Sequence, residues 1–78
     1  MTWLETLGRD GGAWRVAERS DAGFTIVPAE DDEAGFLAFQ AVAQDALDRA
    51  DDSYRALPHR AGDHETVGWD AVTIEFLH

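Results

Sequence analysis

Residues 33–50, EAGFLAFQAVAQDALDRA, set what the rest of the chain must do. At 100° per residue, Phe36, Phe39, Ala43, Ala46, Leu47 and Ala50 fall within one arc, while Gln44, Asp45, Asp48 and Arg49 lie largely outside it. Six of these eighteen residues are alanine, the strongest helix former. The spacing predicts one amphipathic helix. Such a helix is not stable alone in water and needs a second layer over its apolar side. Leu37 and Val42 fall off the main arc, Leu37 on the polar side, and mark places for a second contact.

The flanking segments alternate, so the covering layer is a sheet. In AWRVAER, 13–19, Trp14 and Val16 point one way and Arg15, Ala17 and Arg19 the other. SDAG supplies turn formers. FTIV then resumes the alternation, with Phe24 and Ile26 on one face, until Pro28 removes a ladder donor and ends the strand. A β-hairpin over 13–28 is expected. After the helix, SYRALP reads as a short strand ended by Pro58, and HRAGDHETVG as a polar loop. WDAVTIEFL alternates cleanly, with Val72, Ile74 and Phe76 opposed to Ala71, Thr73, Glu75 and Leu77. Residues 2–7, TWLETL, suit a single helical turn, with Thr2 and Glu5 at capping-box spacing. The expected fold is α+β: one domain over 1–78, elements in the order β-β-α-β-β, and a small antiparallel sheet with the main helix packed on one face.

Four acids, Glu30, Asp31, Asp32 and Glu33, stand before the helix. One of the first three is placed to cap a free backbone N–H, and the others meet the positive end of the helix dipole. Their position is thus local chemistry. Their number belongs to the whole chain, where sixteen acids face six bases for a formal charge of −10. All six bases are Arg; Lys and Asn are absent, Ile occurs only at 26 and 74, and Ala occurs thirteen times. GC-rich coding accounts for part of that bias but not for the acids. Abundant Asp and Glu without Lys resembles the style of proteins from salt-in halophiles such as haloarchaea. Strong negative charge keeps a protein soluble but destabilises the compact state, and concentrated salt screens the repulsion.

Seventy-eight residues without cysteine have no disulfide or thiolate metal site to help a small core. The 45% hydrophobic content, with three Trp and four Phe, excludes a disordered tail. No apolar run is long enough to span a membrane, and the N-terminus has no basic region followed by an apolar run, so a cytoplasmic protein is expected. Direct nucleic-acid binding is not expected of a chain at −10 without a basic stripe.

No constellation points to catalysis. The glycines of GRDGG lack the strand, the Lys and the spacing of a phosphate loop. Ser20 and Ser53 sit in turn-like contexts with no His to pair with, and the helix acids Asp45 and Asp48 sit on an exposed face. His59, His64 and His78, with Asp63 and Glu65, are the best metal set available, but their spacing fits no strong signature. The expectation is a non-enzyme with no metal and no cofactor. The run FLAFQAVAQDALDRADDS, residues 36–53, resembles the helix of haloarchaeal dodecins, small flavin-storing proteins of β-α-β-β fold. That resemblance implies a flavin stacked on a strand tryptophan, for which Trp69 is the loose match. It spans about a quarter of the chain and consists mostly of Ala and Asp, with an extra hairpin before the helix and a short strand after it. Shared composition accounts for it.

What remains is contact surface. Trp69 shares parity with Thr73 and Glu75 and is expected on the solvent side of the sheet or on its rim near Trp3. That side also takes Arg15, Ala17, Thr25, Val27 and Leu77. Trp69, Leu37, Val27 and Leu77 are therefore the candidate interaction residues of a protein-interaction or regulatory module, binding another protein or itself as a homodimer through this face or a sheet edge. Two alternatives stand beside it: an acidic mimic of nucleic acid, and a small-ligand or metal binder using Trp69 or the histidine loop.

Overall fold

The computed structural model describes residues 3–60 and 68–77. Among them the elements are α1 (Trp3–Leu7), β1 (Trp14–Ser20), β2 (Gly23–Pro28), α2 (Glu33–Asp48), β3 (Tyr54–Arg60) and β4 (Trp69–Phe76). The strands form one antiparallel sheet in the spatial order β1-β2-β4-β3, and α2 packs on β2, β3 and β4. The fold is α+β, with a four-stranded antiparallel sheet and one main helix. The β-β-α-β-β expectation is met in part: α1 comes first, and the spatial order inserts β4 between β2 and β3. Because β4 runs antiparallel to both, β2 and β3 are parallel, and α2 is the crossover of a split β-α-β unit.

The core lies between α2 and the sheet. Phe24, Ile26, Val72 and Ile74 rise from the two central strands, Tyr54 from β3, and Phe39, Ala43 and Ala46 from the helix arc. Leu7 of α1 completes it. Burying a Phe, Leu or Ile is worth about 1.5–3 kcal/mol relative to leaving it exposed. The short α1 has little stability of its own and is held by side chains of β1. Trp14 Nε1 donates to the Leu7 carbonyl at 3.0 Å, and Arg19 donates to the Gly8 carbonyl. At the other end of the layer, the Tyr54 hydroxyl donates to the Ala46 carbonyl at 2.7 Å, so the last turn of α2 is tied to β3.

Asp32 is the N-cap of α2, extended at φ −127° and ψ 177°, and its carboxylate accepts from Gly35 N at 2.7 Å. That bond satisfies one of the free donors of the first turn and is worth about 1 kcal/mol. Gly35 looks like a weak point in a helix, yet the backbone needs it: a Cβ there would lie 2.5 Å from the Glu30 carbonyl oxygen. Before β3, Asp51 accepts from Ser53 Oγ at 2.6 Å and Ser53 N at 2.7 Å. The Ser53 hydroxyl and then its backbone N–H hold the Asp51 carboxyl below its ordinary value.

Three local expectations change. The β1–β2 register shifts between Val16 and Glu18, so Arg19 pairs with core-facing Phe24 rather than sharing the face of Arg15. A single extra residue in a ladder reverses the parity of everything beyond it. Pro58 does not end a strand: β3 continues through it to Arg60, because β3 is an edge, where a missing N–H is tolerated. His59 and Arg60 are therefore strand residues, not loop. The Thr2 cap, Asp63, His64, Glu65 and His78 lie outside the described residues.

Candidate functional site

The face of the sheet away from α2 carries no covering layer among the described residues. Its side chains follow from the register. One row is Glu18, Thr25, Thr73 and Leu57, taken across β1, β2, β4 and β3. On one side of it lie Arg15 with Val27 and Ala71 with His59; on the other, Gly23 with Glu75 and Arg55.

A polar seam crosses this face. His59 Nε2 lies 2.8 Å from Thr73 Oγ1, and Thr73 Oγ1 lies 3.1 Å from Thr25 Oγ1. Arg55 and Glu75 approach to 3.9 Å, with side chains 59% and 45% exposed, so the pair adds at most about 1 kcal/mol. Around the seam stand apolar groups. Leu57 is 37% exposed, and Val27, Ala71 and Leu77 are half-buried. Gly23 contributes no side chain, which leaves a shallow hollow of about 210 Å³ bordered by Glu18, Thr25, Thr73 and Glu75.

A histidine bonded to a hydroxyl is the arrangement by which a base activates a nucleophile. The remaining parts of such a site are missing from the described residues. No described side chain is hydrogen-bonded to the other ring nitrogen of His59, and the hollow does not include His59. Thr73 is also engaged by Thr25, as cross-strand Thr pairs commonly are. The seam acts as a polar lattice that fixes side chains on an exposed surface.

The four candidate contact residues do not form one patch. Val27 and Leu77 belong to the open face by parity. Leu37, 54% exposed, stands on α2, on the other side of the sheet. Trp69 is half-buried and packs against the core cluster. The register shifts between His59 and Arg60, so that Arg60 pairs with Trp69 while His59 pairs with Ala71. That shift breaks the parity that placed Trp69 beside Thr73 and Glu75. Its backbone is held by Gln40 of α2, whose amide accepts from Trp69 N at 2.8 Å and donates to Trp69 O at 3.0 Å. Trp3 instead lies under Arg49, whose guanidinium carbon is 4.5 Å from the ring centre.

Leu57, His59 and Arg55 were missed as face residues. The alternation within SYRALP already puts Arg55 and Leu57 on one face opposite Tyr54, and continuing it through Pro58 adds His59, which treating Pro58 as a terminator hides. Gln40 carried no sequence signal, since an amide on a helix flank is ordinary.

A wider groove, of about 710 Å³, runs beside the helix N-terminus between Arg15, Phe36, Asp70 and the acids 30–33. Among the described residues no group of three or more His, Cys, Asp or Glu is placed to hold a metal ion, and no helix is long and apolar enough to cross a membrane. His59, the described member of the histidine set, is engaged with Thr73. No protein-family model, no curated protein and no solved structure matches this chain.

Proposed function

We propose that this protein is a non-enzymatic interaction or regulatory module, and that its contact surface is the open face of the sheet. One observation carries the reading: the charges of that face are balanced while those of the molecule are not. Among the described strand pairings of that face, Arg15 and Arg55 stand against Glu18 and Glu75, so these four charges cancel while the chain as a whole carries −10. The middle of the face offers the uncharged hydroxyls of Thr25 and Thr73, already positioned by one another, with apolar groups, Leu57, Val27 and Ala71, around them. Contact surfaces are commonly depleted of charge at their centre. The acids, by contrast, are spread over turns, helix start and helix end rather than strung along one surface, which favours salt adaptation over mimicry of a phosphate backbone. A cytoplasmic location is part of this proposal.

Hydroxyl-radical footprinting tests this. In intact cells of the source organism, Leu57 and Val27 should be protected relative to dilute purified protein, while Leu37 stays equally reactive. Equal reactivity of Leu57 in both settings would remove the open face as the contact surface. Protection of Leu37 alone would move the contact to the helix.

A further inference from the structure

We infer that the partner of the open sheet face is a second copy of this chain, packed face to face about a two-fold axis. The inference rests on the contact surface proposed above and adds its occupant.

Three observations point to a second copy. First, the face is self-complementary in charge. A two-fold contact presents the same patch from both sides, so each sign needs its opposite within that patch. Arg15, Arg55, Glu18 and Glu75 meet that condition. A foreign basic partner would instead be drawn to uncompensated acids such as Asp45 and Asp48 of α2, on the other side of the sheet.

Second, both edges of the sheet are blunted. β1 carries the register shift between Val16 and Glu18, and β3 carries Pro58. Bulges and edge prolines are devices that stop strand-to-strand addition. Of the two routes to self-association that the sequence left open, the edge is closed and the face is open.

Third, the size of the face sets the strength. Four strands at about 4.8 Å spacing and seven residues at about 3.3 Å give a patch of roughly 19 by 23 Å, or roughly 450 Å² per copy. Two such patches bury about 900 Å², below the ~1,200 Å² of stable assemblies and within the range of weak, reversible ones. Each copy also carries its charge of −10 toward the other. Screening shortens the reach of that repulsion from ~10 Å at 0.1 M to ~3 Å at 1 M. The dimer is therefore weak and forms as salt rises.

Sedimentation equilibrium from low to molar KCl, at up to several hundred micromolar protein, is the test. The wild type should pass from monomer to dimer as salt rises. Two face variants make the result specific to this surface. Arg15→Glu with Arg55→Glu makes the face wholly negative; Glu18→Arg with Glu75→Arg makes it wholly positive. Each alone should weaken the dimer by about tenfold or more, because like charges then face each other. Their equimolar mixture should restore association as a heterodimer. Circular dichroism melts check that both variants are folded, and Leu57→Asp replaces whichever is not. A wild type that stays monomeric at every salt concentration overturns the inference, and so does a dimer that both variants leave intact. Cellular protection of Leu57 together with a monomeric purified chain would remove the second copy and keep the contact face.

Discussion

Gly23 shows how much one residue decides in a chain this small. It opens β2 at φ +155°, a conformation that L side chains rarely adopt, and a Cβ there would lie 1.8 Å from the Ile74 carbonyl oxygen of β4. No rotamer relieves that collision, because the obstacle is backbone. Gly23→Ala should cost on the order of 3 kcal/mol or more. A core alone rarely gives a domain of this size more than ~3–5 kcal/mol. The variant should therefore be largely unfolded at room temperature by circular dichroism. Gly12→Ala, where an added methyl meets nothing within 4 Å, should melt close to the wild type. A well-folded Gly23→Ala protein would mean that β2 and β4 do not approach as described.

At the scale of elements, the joint between α2 and the start of β4 is made by one amide. Gln40 uses its side chain as a strand would use a peptide group, pairing with both the N–H and the C=O of Trp69. Gln40→Leu keeps the volume and removes both bonds, leaving two part-buried backbone groups unpaired. It should cost about 1–3 kcal/mol, with faster hydrogen exchange at the Trp69 amide. Gln44→Leu, on the exposed side of the same helix, should be near neutral. Equal melting of the two variants would sink this account of the joint. The elements themselves were largely legible in the sequence. The arc of α2 holds Phe39, Ala43 and Ala46 in the core, and the alternation of 69–77 identified Val72 and Ile74. What the pattern did not encode were the two register shifts. Each moves a large residue, Arg19 or Trp69, off the face that strict parity assigns, and each depends on the partner strand. Pro58 misled for the same reason: its meaning depends on whether its strand is central or an edge, which only the assembled sheet determines. The seam from His59 through Thr73 to Thr25 joins three strands and has no local signature.

For the whole molecule, the dominant physical fact is charge. The described residues hold a single ion pair below 4 Å between Asp or Glu and Arg, Arg55 with Glu75, and it is exposed. Most acids therefore face solvent and one another with little local compensation, and added salt is what relieves them. The melting temperature should rise markedly between low salt and molar KCl at a protein concentration low enough to keep the chain monomeric. A flat response would detach the acids from salt adaptation. The strand order has a consequence of another kind. β4 is the last of the four strands to be synthesised, yet it occupies the middle of the sheet, and pairs such as Phe24 with Ile74 close over most of the chain. A nascent chain can form the β1–β2 hairpin and the turns of α2 while β4 is still in the ribosome, but β3 then has no neighbour to join. Such long-range closure is slow relative to local folding and leaves apolar surface open while it waits. The protein thus assembles its sheet only after translation has passed Phe76, and a stop or a proteolytic cut before Trp69 takes away the keystone rather than a margin.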